Sequence, residues 1–149
     1  MIFPRGRTGV IPLEGMPASV LDLFEEARAV GMISPRSAAA LLRLALQTLI
    51  DELEPGNKNL NEKIGALKAR GLADDVVKAM DVVRVVGNNG VHPGEIDVNE
   101  DSAILPALFA LVNVIVEQVV VRRSTVDALF AKLPPGALEA IARRDAPRA

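Results

Sequence analysis

The stretch SPRSAAALLRLALQTLIDELEPG, residues 34–56, predicts the class of fold. Ser34 can cap a helix with its side-chain oxygen, and the proline that follows it is favoured at the first helical position. Apolar side chains then recur every three or four residues, which places them in one stripe on a helix: Leu42, Leu46, Leu49, Ile50 and Leu53. Pro55 and Gly56 mark the end. Such an amphipathic helix needs other helices to cover its apolar face.

The flanking sequence carries similar signals. A proline and a serine begin a helix predicted over 18–30, and Gly31 ends it. Asn59 has Glu62 three residues later, a variant of the capping box that precedes a short helix. The next helix begins with acidic residues, where the helix dipole favours them, and its valines continue to Val86.

The C-terminal half is more apolar. The segment from about Asp101 to Val121 is apolar on most sides, which predicts a helix that is either central or covered by a partner chain. STVDALFAKL predicts a separate amphipathic helix, and PPGALEAIARRD predicts a final one. No alternating strand pattern extends beyond a few residues.

These patterns predict an all-α fold, an up-and-down helical bundle with additional short C-terminal helices. We expect an extended N-terminal segment over 1–16, a helical domain over 17–144 and a frayed tail over 145–149.

Composition restricts the classes of function. The 149 residues are 50% hydrophobic, enough for one domain with a core. With a net charge of −2, the chain has no global basic field, so any nucleic acid has to meet a local patch. Without cysteine and with a single histidine, the chain lacks a thiolate nucleophile and the usual zinc ligands, so we expect no metal and no cofactor. No signal-peptide pattern opens the sequence, which predicts a cytoplasmic protein with no membrane association.

The stretch RVVGNNGVHPG, residues 84–94, contains that histidine. Arg84, Asn88 and His92 are spaced four residues apart, so an uninterrupted helix would place them along one face. Gly87 and Gly90 interrupt this helix, and they also let a backbone or a phosphate approach closely. The motif is therefore a candidate site for phosphate chemistry.

A structural interpretation of the same motif stands beside the functional one. A histidine just before Pro-Gly suits a helix C-terminus, where its ring can bond free carbonyl groups. Asn88 and Asn89 are also common cap residues. No catalytic triad can be assembled around His92, and there is no serine elbow or glycine-rich phosphate loop.

Arg43 is the second candidate. It lies seven residues after Arg36 and four before Gln47, so the three side chains share a helix face, with Ala40 between them. Such a stripe is most often the solvated side of a helix. Alternatively, Arg43 projects into a cleft beside His92 and binds phosphate through its planar guanidinium.

Several stretches resemble a known family: SPRSAAALLRLALQTLIDEL, KNLNEKIGALKARGL, AMDVVRVVGNNGVHPGEIDVNEDSAILPALFALVNVIVEQVV and ALFAKLPPGALEAI. They look like the bacterial domain-of-unknown-function family 4145. That family is similar to the HEPN superfamily, the higher eukaryotes and prokaryotes nucleotide-binding domains. The resemblance extends from about Pro17 to Arg144, and GNNGVHPGEID is its most specific part.

The resemblance implies a helical bundle that forms a homodimer. In active HEPN members, it implies a metal-independent endoribonuclease site in the dimer cleft, where an arginine and a histidine about four to six residues apart meet their symmetry mates. Here residues 85–91 separate Arg84 from His92, so the expected arginine position falls on Val85, Val86 or Gly87. This sequence departs from the ribonuclease pattern at that point.

On this resemblance the candidate catalytic residues are His92, Asn88 and Arg84, and the candidate nucleic-acid-binding residues are Arg43, Asn89 and Arg36. The activity expected is RNA cleavage or RNA binding. The alternative is a non-catalytic dimerisation module that binds a nucleotide or a co-encoded protein partner. In both cases we expect the apolar segment 103–121 to contribute to the dimer interface.

Overall fold

The computed structural model describes residues 9–88, 97–99 and 101–147, and every regular element in these ranges is helical. The predicted all-α fold is therefore confirmed. The helices, in chain order, are α1 (Ala18–Val30), α2 (Pro35–Leu53), α3 (Leu60–Ala69), α4 (Asp74–Gly87), α5 (Ile104–Val116), α6 (Arg122–Ala131) and α7 (Pro135–Asp145). A π-helical segment, Glu117–Val121, joins α5 directly to α6.

Helix α2 is the centre of the bundle, because α1, α3, α4 and α5 all pack against it. It begins as the sequence predicts, since the side chain of Ser34 accepts a hydrogen bond from the backbone N–H of Ser37 at 3.2 Å. Its apolar stripe supplies the middle of the core, where Leu42, Leu46 and Ile50 are buried. Three further core positions on this helix hold alanine, which lets neighbouring helices approach closely: Ala38, Ala39 and Ala45.

Local signals also set both ends of α3. The Oδ1 atom of Asn59 accepts the backbone N–H of Glu62 at 2.8 Å, and the Asn59 amide donates to Glu62 Oε1 at 2.8 Å. At the other end Gly71 adopts φ +99°, and the backbone N–H of Leu72 donates to the carbonyl of Leu67. This glycine-dependent ending reverses the chain into α4.

One polar side chain in the apolar helix α5 has a structural role. The Oδ1 atom of Asn113 accepts the backbone N–H of Leu13 at 2.9 Å, and its Nδ2 donates to the carbonyl of Ile11 at 2.8 Å. Asn113 thereby pairs with the backbone of the N-terminal segment as a neighbouring strand would. This holds Val10 and Leu13 against the core.

The C-terminal half differs from the prediction. STVDALFAKL does not form a separate helix, because α5, the π-helical segment and α6 make one continuous helix from Ile104 to Ala131. Neither proline nor glycine occurs between Pro106 and Pro134, so the sequence contains no strong signal that would end the helix. The helix begins at Ile104 rather than at Asp101, whose side chain accepts the backbone N–H of Ala103 at 3.0 Å.

By length and composition alone, this 28-residue helix could cross a membrane. Core helices of soluble proteins have the same character. The α5 portion packs inside the bundle, where Leu105, Leu108, Phe109, Val112, Ile115 and Val116 are buried. Phe109 also meets Phe24 of α1 edge to face, with ring centroids 5.1 Å apart. These contacts support the interpretation of α5 as a core helix.

Two contacts on α2 have measurable energetic consequences. The last residue of α4, Gly87, lies so close to α2 that an added Cβ would be 2.5 Å from the Cβ of Arg43 and 2.7 Å from the carbonyl oxygen of Ala39. Near the other end of α2, Asp51 accepts a hydrogen bond from the buried Lys63 ammonium of α3 at 2.8 Å. The first contact is possible only because residue 87 has no side chain. The second depends on the carboxylate of Asp51, which pairs with the Lys63 ammonium.

We predict that Gly87→Ala lowers the free energy of unfolding by about 1–3 kcal/mol, because the new methyl group overlaps backbone that cannot move independently. Gly65→Ala in α3 is the matched control, since nothing lies within 4 Å of its added Cβ. The control should stabilise the protein by up to about 1 kcal/mol through helix propensity. Urea unfolding measures both variants, and equal stabilisation of the two would contradict the close contact.

Asp51→Ala should destabilise the protein by about 1 kcal/mol or more, because the buried ammonium of Lys63 loses its partner. Lys63→Met should cost less, since an apolar side chain of similar length occupies the same space without a charge. Thermal melting of both variants and of the double variant tests this order. A larger loss in Lys63→Met than in Asp51→Ala would contradict the prediction and show that the ammonium of Lys63 stabilises the fold through more than its pairing with Asp51.

Candidate functional site

Arg43 and the first residue of the GNNGVHPG motif lie against each other. The motif begins at Gly87, and the space that a side chain would take at this position is occupied by the Cβ and Cγ atoms of Arg43. Arg43 itself is half-buried. The structure thus brings together two features that lie far apart in the sequence. It also argues against a purely solvated position for this arginine.

The guanidinium of Arg43 has unused hydrogen-bonding capacity. Its Nη1 donates to Gln47 Oε1 at 3.5 Å, the long limit of a hydrogen bond. Its Nε is buried and has no hydrogen-bond partner among the residues that the structure describes. Gln47 is neutral, so this contact leaves the positive charge of Arg43 uncompensated. A buried donor without an acceptor is unfavourable, and an anion would satisfy it.

Arg84 is in a different position. Its Nη2 and Nε lie 3.3 and 3.4 Å from one carboxylate oxygen of Asp81, which is one turn earlier on α4. The side chain is half-buried, with 26% of its surface exposed. The charge of Arg84 is therefore partly neutralised within its own helix. This makes it a weaker candidate for phosphate binding than Arg43.

The helix that carries the motif ends at Gly87. Asn88 is extended, with φ −80° and ψ 126°, and its backbone N–H bonds the carbonyl of Val85 at 3.3 Å. The helical face that would carry Arg84 therefore ends before Asn88, and His92 lies outside the described residues. Glycine and asparagine both disfavour helix interiors and favour helix ends, which accounts for the break.

The remaining candidates divide into two groups. Arg36 lies in the first turn of α2 and is exposed, as expected for the solvated part of the stripe that it shares with Arg43. His92 and Asn89 lie outside the described residues. Across the ranges that are described, no three side chains of the metal-ligating types cluster together.

Sequence reasoning missed how close α4 comes to α2. The available signal was the run of small residues at 38–40, opposite which a glycine can pack. The backbone carbonyl of Ala39 is not visible in a pattern of side chains, yet it forms one wall of this contact together with Arg43.

One comparison with known proteins gives a match. No curated protein and no solved structure matches the chain. One family does match, described as Domain of unknown function (DUF4145), over residues 25–134. The matched range begins within α1, ends after α6, and includes Arg43 together with the whole GNNGVHPG motif. Because it covers well over half of the sequence, the chain belongs to the DUF4145 family of domains of unknown function.

Proposed function

We propose that this protein is a HEPN-like dimeric domain that binds RNA and cleaves it without a metal ion, at a composite site between two copies. The observation that carries the proposal is the contact of Arg43 with Gly87. It sets the stem of Arg43, whose Nε is buried without a partner among the described residues, against the first residue of the motif that contains the chain's only histidine.

This contact indicates which residue could take the place of the arginine that the HEPN pattern expects. The HEPN resemblance expects an arginine at Val85, Val86 or Gly87, and none of these residues can bind phosphate. At Gly87 the missing side chain leaves room for Arg43 of the neighbouring helix. We infer that α2 supplies the cation that α4 lacks. Arg84, already paired with Asp81, has a secondary role in this scheme.

The proposed reaction uses proton transfer and charge stabilisation. The ribose 2′-oxygen attacks the phosphorus after losing its proton to His92, the bond from phosphorus to the 5′-oxygen breaks, and the leaving oxygen receives a proton. The His92 of the second copy is the proton donor, which is why one histidine per chain suffices in a dimer. Arg43 stabilises the charge on the phosphate, and Asn88 orients the phosphate or the imidazole. The products are a 2′,3′-cyclic phosphate and a 5′-hydroxyl.

Phosphate contacts outside the reacting group come from the rest of the stripe on α2. Arg36 is exposed and lies on the same helix face as Arg43, so a strand of RNA held by Arg43 can extend towards it. Asn89 contributes a further polar contact from the motif. The aromatic content of 3%, all phenylalanine, favours recognition through the phosphate backbone over base stacking.

Two uncovered surfaces support a homodimer. Val114 of α5 remains 45% exposed, on the side of that helix where two alanines, Ala107 and Ala110, are also exposed. On α4, Val82 and Val85 are 43% and 46% exposed, next to Arg84 in the sequence. Helix α4 leads into the GNNGVHPG motif. Its exposed apolar side chains are consistent with a dimer interface that also forms the walls of the proposed cleft.

The alternative function is a non-catalytic interaction module that uses the same bundle to bind a nucleotide or another protein. It is favoured by the exposed apolar side chains of α6, which take no part in the proposed catalytic site. In that case, the GNNGVHPG motif ends a helix and binds without reacting.

The decisive variants are tested on fluorescently labelled mixed-sequence single-stranded RNA in the presence of a chelator. His92→Ala should abolish cleavage, because no other residue of the chain is an imidazole. Arg43→Ala should slow cleavage by about 100-fold through the loss of phosphate stabilisation. Arg43→Lys keeps the charge but loses the planar fork, and should slow it by about tenfold. Denaturing gels and single-turnover rates provide the measurement.

Two further variants control this experiment. Arg143→Ala removes an exposed arginine from α7 and should leave the rate unchanged. Arg84→Ala should have a smaller effect than Arg43→Ala, since Arg84 is already paired. If Arg84→Ala slows cleavage more than Arg43→Ala does, Arg84 is the residue that contacts the phosphate. If the wild type cleaves no RNA and His92→Ala unfolds, the histidine has a structural role and the interaction module is the better interpretation.

We expect a homodimer at micromolar concentration in light scattering coupled to gel filtration. Val114→Arg should give a monomer, because a cation replaces an apolar side chain within the proposed interface. Ile33→Arg changes an even more exposed apolar residue, 76% accessible in the turn between α1 and α2, and should remain dimeric. If the wild-type protein is a monomer, no site between two copies can form, and the proposed mechanism is wrong.

A further inference from the structure

Three arginines in the described part of the chain are half-buried, and one of them lacks a carboxylate partner. Two have an acidic residue one turn earlier on their own helix: Arg28 with Glu25 at 3.0 Å, and Arg84 with Asp81 at 3.3 Å. The third, Arg43, donates to the neutral amide of Gln47 at 3.5 Å and forms no ion pair with the described residues. Charges withdrawn from water are normally paired with an opposite charge. Arg43 is therefore the exception among these three arginines.

Gln47 occupies the position from which a carboxylate would pair with Arg43. It lies four residues later on α2, a spacing at which oppositely charged side chains on a helix meet. Glutamate has the same length and shape as glutamine, so the two residues differ at this position chiefly in charge. An ion pair here would compensate a half-buried cation and stabilise α2. The neutral side chain leaves that stabilisation unused and keeps the charge of Arg43 available to an anion from solution.

Both ends of the Arg43 side chain are restrained. Its Cβ and Cγ atoms fill the space beside Gly87, at 2.5 and 3.4 Å from the position of an added Cβ. At the other end, Nη1 donates to Gln47 Oε1. A side chain that is already restrained loses less conformational freedom when it binds a ligand. Gln47 therefore helps to set the direction of the guanidinium before a ligand arrives.

The two side chains together present hydrogen-bond donors and one positive charge. The Nε of Arg43 is buried and has no acceptor among the described residues. Because Gln47 uses its Oε1 to hold Arg43, its Nε2 amide remains as a further donor. A cluster of donors with a single positive charge complements an oxyanion with a single negative charge. A phosphodiester is an oxyanion of this kind.

We propose that Gln47 is the positioning residue of a phosphodiester-binding site centred on Arg43. Its neutral amide directs the guanidinium without cancelling the charge, and a glutamate at this position would close the site by pairing with Arg43. The inference rests on the role of Arg43 in the function proposed above, and it adds the residue that decides which charge the site accepts. Binding at this site needs neither His92 nor a second copy, so it can be measured apart from cleavage.

The test uses the deoxydinucleotide thymidylyl-thymidine, which carries one phosphodiester and has no 2′-hydroxyl that could react. Its binding to the full chain is followed by NMR of the arginine Nε–Hε groups, and the Arg43 signal is identified by its loss in Arg43→Ala. In the wild type this signal should shift saturably as the dinucleotide is added. Thymidine, which lacks the phosphate, should leave the signal in place.

Three variants separate charge from position. Gln47→Glu should raise the Kd of the dinucleotide at least about tenfold, because the new carboxylate pairs with Arg43 and repels the phosphate. Gln47→Met keeps the length and the neutrality but loses the contact with Nη1, and should raise the Kd about threefold. Thr48→Glu is the matched control, since it adds the same charge about 100° further around the helix. It should change the Kd by less than about twofold, because salt screens a charge on another helix face.

Thermal melting separates positioning from a merely structural role. Gln47→Glu should melt no lower than the wild type, because it gains an ion pair while it loses phosphate binding. If Gln47→Glu binds as tightly as the wild type, or melts below it, the role of Gln47 is wrong, and Arg43 as the anion ligand is unaffected. If the Arg43 signal of the wild type does not respond to the dinucleotide, both this inference and the role of Arg43 in the proposed function are wrong. Binding as predicted by a wild type that cleaves no RNA would support the site and exclude the cleavage.

Discussion

Helix α2 has to be covered around most of its circumference, and the arrangement of the bundle follows from that requirement. Its leucine and isoleucine stripe and its alanines are buried by α1, α3, α4 and α5 together. A helix with this much apolar surface is stable only when its neighbours remove that surface from water. Helices α1, α3 and α4 are amphipathic and have to be covered mainly on one side. The central helix also carries Arg36 and Arg43, two residues of the proposed function.

In the N-terminal half of α2, packing and chemistry depend on the same atoms. Gly87 allows α4 to approach the carbonyl of Ala39, and the same missing side chain leaves space for the stem of Arg43. A larger residue would separate the helices and move the arginine away from the motif. The Nε of Arg43 is buried and has no partner among the described residues, which is unfavourable for stability by itself. Such a group is retained more readily where it binds something, which is the physical basis for placing the anion site there.

Beside the C-terminal end of α2, the long helix Ile104–Ala131 continues from α5 into α6 and leaves the bundle. The residues of α5 are used by the core, but those of α6 and α7 are not, although their apolar residues recur at helical spacing. An exposed apolar stripe on an ordered helix is costly in water unless something else covers it. Helix α2 thus contributes to two different surfaces. One is polar and small, and the other is a groove with an apolar lining at the C-terminal end of the helix.

The sequence by itself determined the fold class and the bounds of the first four helices. These depend on signals within a few residues, such as the caps at Ser34 and Asn59 and the glycine at 71. The same local reasoning divided the helix after Val121, because no local signal reports that a helix continues through a π-helical turn. Tertiary structure alone decided that Arg43 meets Gly87, since the two lie on different helices and touch only because α2 is covered by α4.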